Sequence, residues 1–196
     1  SSYSLTVIPL FVFMGQIAFN AGISRRLYDS AYHFVGAYRG GLATATVCAC
    51  TAFGAVSGSS PATAATMATV GLPEMKRYKY APELSTGSVA SGGGLGMLMP
   101  PSVVLIVYGI LTEQSIGALF VAGIIPAIFI TILFAVAISV YCWKYPLQGP
   151  AGDKFTWGEK FRSLSKIGET LVVFLLVMGG LFTGIFTPTE AGGVGS

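Results

Sequence analysis

The chain of 196 residues is 53% hydrophobic and 10% charged, with 11 basic and 8 acidic residues and a formal net charge of +3. Soluble domains carry about a quarter charged residues, so this chain lacks the side chains that would cover a water-exposed surface. The composition excludes an ordinary soluble protein and indicates an integral membrane protein surrounded by lipid, and its charge is too small to indicate nucleic acid as a partner.

The first predicted element is a membrane-crossing helix over residues 3–20, since about 20 mainly apolar residues span a bilayer. The next apolar segment, 42–72, is interrupted by the small polar run "VSGSSPAT". Its two arms, 43–56 and 61–71, are each too short to cross a core of about 30 Å at about 1.5 Å per residue. The segment therefore predicts a re-entrant helical hairpin, which enters the membrane and returns to the same side.

Residues 82–112 are long enough to cross the membrane, but "SGGGLGMLMPPS" interrupts them and predicts a discontinuous helix. Two uninterrupted spans are predicted after it, at 116–143 and 168–186. The predicted fold is thus all-α: a multi-span helical bundle with one re-entrant hairpin and one broken helix, forming a single transmembrane domain over 1–196.

The basic residues favour a hairpin over a single crossing for 42–72. They precede the segment at Arg25, Arg26 and Arg39 and follow it at Lys76, Arg77 and Lys79. If the segment enters and leaves on one face, these clusters and the basic stretch 144–166 all lie on one side, as the positive-inside rule requires of the cytoplasm. A single crossing would split them. The N-terminus is therefore predicted on the periplasmic side.

The tip of the hairpin is predicted to place one helix end beside another. The first arm is expected to end at Ser57, with Gly58 leaving the helix. Ser60 is expected as the N-cap of the return arm and Pro61 as its first helical residue. Carbonyls without helical partners would then lie beside N–H groups without partners. Close helix packing through Gly54 and Gly58, which fit a small-xxx-small pattern, is the alternative.

The broken helix predicts a similar arrangement. Pro100 and Pro101 lack the N–H groups that would bond the carbonyls of Gly96 and Met97 in a continuous helix. A new half-helix can begin at Pro101 and Ser102, although a plain kink is the alternative. Carbonyl and hydroxyl oxygens suit a hard cation such as Na⁺, and helix N-termini suit an anion. Two such interruptions within the membrane are typical of the binding site of a secondary transporter.

No constellation in the sequence predicts catalysis. The run "GGGLG" does not match the dinucleotide-binding pattern, and the three cysteines form neither a metal-binding pair nor a disulfide framework. The sequence also contains no Ser-His-Asp set, metal cluster or Walker motif. The protein is therefore predicted not to be an enzyme, to need no cofactor and not to use ATP directly.

A family resemblance rests on several segments in order, among them "FGAVSGSSPATAATM", "PEMKRYKY", "GGGLGMLMPPSVVLIVYG" and "GIFTPTEAGGVG". Together they resemble the large membrane subunit of tripartite ATP-independent periplasmic (TRAP) transporters, the DctM-like or M subunit. The resemblance implies an elevator-type, Na⁺-coupled importer of organic acid anions such as C4-dicarboxylates or sialic acids. It implies a multi-pass protein of a bacterial or archaeal inner membrane, with a small four-helix membrane subunit and a periplasmic solute-binding protein as partners.

The resemblance also assigns residues to sites, with the hairpin tip at 57–63 and the break at 92–102. The residues predicted for a Na⁺ site are Ser57, Ser59, Gly96, Met97 and Met99. Those predicted for substrate binding are Ser60, Pro61, Ala62, Thr63, Pro101 and Ser102. The family's second hairpin and second broken helix have no counterpart here. The chain is thus expected to hold the first inverted repeat, the opening of the second, and half of a binding site.

Two other functions fit the same pattern. One is a Na⁺/carboxylate symporter that works without a binding protein, and the other is a membrane structural or channel subunit that does not transport, in which the glycines serve packing. The segments "PEMKRYKY" and "GIFTPTEAGG" favour the TRAP family over both.

Overall fold

The computed structural model describes residues 3–183 together with 185, 187, 190 and 193, and every regular element within this part of the chain is helical. The predicted all-α class is therefore confirmed. The helices in chain order are α1 (Tyr3–Asn20), α2 (Ile23–Val35), α3 (Gly41–Ser57), α4 (Ser60–Arg77), α5 (Pro82–Gly94), a 3₁₀ turn (Leu95–Met97), α6 (Val103–Thr112), α7 (Ile116–Lys144), α8 (Trp157–Ser165) and α9 (Gly168–Phe182).

Helices α3 and α4 lie antiparallel and form a helical hairpin. At its tip, the hydroxyl oxygens of Ser57 and Thr63 are 2.8 Å apart. At its base, the N–H of Leu42 donates to the hydroxyl of Tyr80, just beyond α4, at 3.2 Å. The segment 42–72 thus contains two helices that double back at residues 58 and 59, as the interrupted pattern predicts.

Helix α3 is the centre of the bundle because its side chains are small. Its sequence "GLATATVCACTAFGAVS" is buried almost throughout, and α1, α2, α4, α5 and α7 all pack on it. Gly92 of α5 comes so close that a Cβ there would lie 2.9 Å from the Sγ of Cys50. Small residues let backbones approach closely where helices associate in lipid.

The predicted broken span is a helix, a 3₁₀ turn and a second helix. Helix α5 continues through Gly92 and Gly93, so the non-helical gap is 98–102, shorter than the predicted interruption. The last predicted span, 168–186, ends early: α9 stops at Phe182, while positions 184 and 186 lie outside the described residues. Helix α7 ends at Lys144, one residue beyond its predicted end.

Two helices were not predicted, α2 and α8. Both are short and amphipathic, so a search for long apolar stretches misses them. A signal for α8 was present in the sequence: Thr156 and Glu159 form a capping box, in which each side chain accepts a hydrogen bond from the other's backbone N–H.

By length and composition alone, one helix in the described ranges is sufficient to cross a membrane, Ile116–Lys144. A second is added if Trp157–Ser165 and Thr170–Phe182, which meet at 56°, count as one span. Helix α7 exposes large apolar side chains, among them Ile125 at 75% and Phe129 at 59%. The other crossings, and the re-entrant entry of the hairpin, stay predictions.

The loop after α7 is hydrogen-bonded to the base of the hairpin. Three backbone N–H groups and carbonyls are joined at 2.8–2.9 Å: Gly40 to Gly149, Ala81 to Gln148 and Gly152 to Gly36. The hydroxyl of Tyr78 also donates to the carboxylate of Asp153, and this bond raises the pKa of Tyr78. The N–H of Asp153 donates to the hydroxyl of Tyr32 at 3.0 Å. We call residues 148–153 the basal strap.

Candidate functional site

The tip of the hairpin begins where glycine ends α3. Gly58 has a φ of 61°, the left-handed conformation that glycine adopts without strain, and its N–H donates to the Gly54 carbonyl at 2.8 Å. The predicted helix end at Ser57 and Gly58 is confirmed. A side chain at Gly58 would also lie 2.7 Å from the carbonyl oxygen of Pro101, so the tip is tightly packed against the break.

The N-cap of α4 is Ser59, so the prediction of Ser60 was wrong by one residue. Ser59 has the extended backbone of a cap, with φ −133° and ψ 122°, and its Oγ accepts from the N–H of Ala62 at 3.4 Å. Its carbonyl accepts from the N–H of Thr63 at 3.0 Å. Ser60 is already helical, and Pro61 occupies the first turn, where its missing N–H costs nothing.

Ser102 is the last residue of the break that follows the 3₁₀ turn. Its Oγ accepts from the N–H of Leu105 at 3.4 Å, so it caps α6, which begins at Val103. The same hydroxyl donates to the carbonyl of Met97. Pro101 leaves that carbonyl without a helical donor, as predicted, but the Ser102 hydroxyl replaces the lost partner. The Met97 carbonyl is therefore less available to an ion than the sequence suggests.

The carbonyl of Gly96 has no equivalent donor in the next turn. Pro100, four residues on, has no N–H. The N–H groups of Leu98 and Met99 both donate to Leu95, each at 3.0 Å. The Gly96 carbonyl is therefore better placed to accept a cation than that of Met97.

The tip and the break are in direct contact. The carbonyl of Gly58 accepts from the N–H of Val103, the first residue of α6, at 3.2 Å. A Cβ at Gly96 would lie 2.5 Å from Thr63 Oγ1 and 3.0 Å from the Ser59 carbonyl oxygen. The glycine therefore allows close packing at this contact, and oxygen atoms of the tip lie next to the break.

The buried oxygens at this contact are uncharged. Ser57 is 2% exposed and Thr63 is fully buried, and their hydroxyls bond each other. The Ser59 carbonyl lies beside them, facing Gly96. Neutral hydroxyl and carbonyl oxygens are ligands that suit a hard monovalent cation. The other predicted ion residues, Met97 and Met99, are exposed and half-buried, respectively.

A cavity of about 260 Å³ lies on the other side of the tip, between α1, α3 and α4. Its polar lining comes from Gln16, Ser57, Ser59, Thr66 and Thr69. Sequence reasoning missed three of these, although polar residues at helical spacing along α4 and an amide within the apolar α1 were signals. We call this space the tip cavity.

The residues predicted for substrate binding fall into two groups. Ala62 lines the tip cavity, and Ser60 and Pro61 lie beside it on the first turn of α4, half-buried and exposed. The other three, Thr63, Pro101 and Ser102, are buried at or beside the contact between tip and break. The structure thus brings Thr63 to the residues predicted for the ion instead.

A larger cavity of about 340 Å³ lies between α3, α5 and α7. Its lining includes Phe134, Ile138 and Tyr141 of α7 and the exposed carboxylate residue Glu83. It contains no helix end from either interruption, and the helix end that it does include, the first turn of α5, has the negative charge of Glu83, which disfavours an anion. The tip cavity is the better candidate despite its smaller volume.

Replacing Ser102 with alanine is expected to lower the free energy of unfolding by about 2 kcal/mol, because both the helix cap and the bond to Met97 are lost. The control is Ser115→Ala, which removes the exposed cap of α7, a single bond to the Ala118 N–H. It is expected to cost about 1 kcal/mol. Denaturant unfolding of the purified protein measures both, and equal losses would contradict the second role of Ser102.

The chain matches known proteins over nearly its whole length. The family model described as the DctM component of tripartite ATP-independent periplasmic transporters matches residues 1–196.

Three curated proteins are similar to the chain over nearly all its length. A C4-dicarboxylate TRAP transporter large permease protein of Pseudomonas aeruginosa is 40% identical over 98% of this chain and 44% of its own length. An ectoine TRAP transporter large permease protein of Halomonas elongata is 36% identical over 96% and 44%. A sialic acid TRAP transporter large permease protein of Vibrio cholerae is 34% identical over 100% and 45%. The chain thus spans less than half the length of these relatives.

Proposed function

The chain belongs to the DctM component family of TRAP transporters, and from that premise we propose that it is part of the permease subunit of a Na⁺-coupled importer of organic acid anions. The coupling ion binds where the hairpin tip meets the break, and the solute binds in the tip cavity. As a permease subunit, the protein moves solute and catalyses no reaction.

The observation that carries the proposal is the contact between the two interruptions. The tip and the break are held together by the Val103–Gly58 hydrogen bond. Beside it, the hydroxyls of Ser57 and Thr63 are buried and the carbonyl of the half-buried Ser59 faces Gly96, and none of these oxygens carries a formal charge. A cation held there needs no counter-carboxylate, and its charge favours an anion nearby. Ion and anionic solute would then stabilise each other, which is the basis of symport.

The N-terminus of α4 makes the tip cavity suitable for an anionic solute. The positive end of a helix dipole lies at its N-terminus, where Ser59 and Ala62 line the cavity. Its polar lining contains hydroxyls and the amide of Gln16. Relatives named for C4-dicarboxylate and sialic acid both match this chain, which supports a carboxylate as the shared group of the solute.

The proposal includes the remaining features of the family resemblance. The hairpin is re-entrant from the cytoplasmic side of a bacterial or archaeal inner membrane, and the chain forms the first inverted repeat of an elevator-type carrier. A periplasmic solute-binding protein delivers the substrate, and a small four-helix membrane subunit accompanies the permease. The second repeat of the full-length permease completes the ion and solute sites.

Uptake into proteoliposomes tests the proposal. The full-length permease, its small subunit and the loaded binding protein are supplied with labelled succinate or sialic acid under an inward Na⁺ gradient, with an equal K⁺ gradient as control. Accumulation is expected with Na⁺ and the binding protein together. Na⁺-driven uptake without the binding protein would instead identify a symporter of the simpler kind, and no uptake of any supplied anion would favour a structural or channel subunit.

The two ends of the broken span are expected on opposite sides of the membrane. Arg77 and Gln114 are exposed and lie before and after it, and the ion pair of Arg77 with Glu74 is a surface pair of little consequence. Arg77→Cys is expected to react with an impermeant maleimide only from the cytoplasmic side, and Gln114→Cys only from the periplasm. The wild-type permease measures background labelling. Reaction of both from the periplasm would exclude the re-entrant hairpin.

A further inference from the structure

The short helix α8 presents an apolar face that the described part of the chain leaves uncovered. Trp157, Phe161 and Leu164 are 71%, 66% and 41% exposed. Their spacing of four and three residues puts them on one side of the helix. Isolated exposed apolar residues are common, but a continuous stripe with two aromatic rings marks a surface that contacts something other than water.

The other side of α8 packs against α2. Ser163 is buried, and its carbonyl accepts from the hydroxyl of Ser30 in α2 at 2.9 Å. The ammonium of Lys160 lies 4.9 Å from the centre of the Trp157 ring and 6.0 Å from that of Phe34. Helix α8 is therefore fixed on α2 by one side while the apolar stripe points away from this contact.

The charge around the stripe is positive, because the basic residues of this segment outnumber its acidic ones, although Lys166 also interacts electrostatically with Asp29 of α2. The basic residues of segment 153–166 are Lys154, Lys160, Arg162 and Lys166, and the acidic ones are Asp153 and Glu159. Asp153 accepts the hydroxyl of Tyr78, and Glu159 accepts the N–H of Thr156 in the capping box. Both carboxylates are thus engaged within the protein, while the cationic groups of this segment outnumber them.

We propose that α8 lies on the cytoplasmic surface of the membrane, with Trp157, Phe161 and Leu164 among the acyl chains and the basic residues on anionic phospholipid headgroups. The cytoplasmic side rests on the proposed function. A helix of nine residues is about 13.5 Å long at 1.5 Å per residue and cannot cross the bilayer. Aromatic residues on one face and basic residues on the other are typical of helices that lie in the interface.

The position of α8 in the chain supports a lipid surface as its partner. The apolar helix α9 begins three residues after it, and the chain turns by 56° between α8 and Thr170–Phe182. Side chains exposed on α9, such as Val172 and Leu175, continue the apolar surface. A basic helix that bends away from the end of an apolar helix lies at the depth where acyl chains and headgroups meet.

Spin-label accessibility in the full-length permease tests this placement. The permease is reconstituted into nanodiscs of phosphatidylcholine with phosphatidylglycerol, with a nitroxide on Phe161→Cys, and oxygen and nickel-chelate collisions are measured. The label is expected to be accessible to oxygen and shielded from nickel, whereas a label on Ala151→Cys, an exposed position of the basal strap, is expected to be accessible to nickel. Access to nickel at position 161 would place α8 in water, and shielding from both reagents would show that protein covers it. Either result overturns the proposal.

The anionic headgroups are tested by removing charge. Arg162→Gln with Lys166→Gln, in the labelled permease, is expected to lower the ratio of oxygen to nickel accessibility severalfold, as is omission of phosphatidylglycerol. The control, Lys76→Gln with Arg77→Gln, removes the same charge from the end of α4 and is expected to leave the ratio unchanged. Equal changes in the two variants, or no change without phosphatidylglycerol, would overturn the assignment. Neither readout depends on transport, so failure here is distinct from failure of the proposed function.

Discussion

Replacing Gly96 with alanine is expected to abolish uptake, because the new methyl group has no space. It would lie 2.5 Å from Thr63 Oγ1 and 3.0 Å from the carbonyl oxygen of Ser59. The second of these is a backbone atom, so the hairpin tip must move away from the break. Overpacking of a buried site costs about 1–3 kcal/mol in stability. Here it also separates the oxygens proposed to bind the ion.

The control is Gly94→Ala, two residues earlier in the same segment. A Cβ at Gly94 meets no atom within 4 Å in the described part of the chain. Alanine is the better helix former by about 1 kcal/mol, so this variant is expected to fold at least as well as the wild type. Uptake assays and thermal unfolding of both variants measure the difference. Wild-type uptake by Gly96→Ala would contradict the close contact between tip and break.

Replacing Thr63 with valine is expected to raise the Na⁺ concentration for half-maximal uptake by about 10- to 100-fold. Valine has nearly the shape of threonine but no hydroxyl, so the buried Ser57 hydroxyl loses its partner. Hydrogen bonds to charged groups contribute about 1.5–3 kcal/mol, and each 1.4 kcal/mol is about tenfold in affinity. Among the described residues of the proposed site, Ser57, Ser59, Thr63 and Gly96, none has a carboxylate to compensate for one lost oxygen.

Thr63→Ser separates an ion-binding role from a structural one. Serine keeps the hydroxyl and removes only a methyl group, so Na⁺ dependence is expected to stay near that of the wild type while stability falls slightly. Initial uptake rates as a function of Na⁺ concentration measure the first quantity, and thermal unfolding with and without Na⁺ measures the second. If valine lowers stability but leaves the Na⁺ dependence unchanged, the Ser57–Thr63 pair serves packing alone.

The two interruptions were predictable because glycine and proline act through the local backbone. Gly58 leaves a helix in the left-handed conformation, and Pro100 and Pro101 remove donors whatever surrounds them. The local sequence does not decide whether Ser59 or Ser60 is the N-cap of α4. Proline is tolerated in either of the first helical positions, so only the backbone angles of the folded tip distinguish the two serines.

What the sequence did not predict depends on contacts between distant segments. The proline argument identified the Met97 carbonyl as free, but the hydroxyl of Ser102 reaches back to it across the break. Thr63 was assigned to the solute, and its hydroxyl pairs with that of Ser57, a residue proposed for the ion. Gln16 was overlooked because its role depends on α1 packing beside the tip. Each of these three contacts depends on tertiary packing and not on the local sequence pattern.

The basal strap limits where this protein can be modified by insertion. In the sequence, the stretch after α7 resembles a connector that would accept an epitope tag or a protease cleavage site. Its backbone is instead hydrogen-bonded to the base of the hairpin at Gln148, Gly149 and Gly152. Extra residues there would shift the register of these bonds and loosen the hairpin at the end opposite its tip. The exposed turn at Glu113 and Gln114 has no such ties to distant segments among the described residues and is the place for a tag.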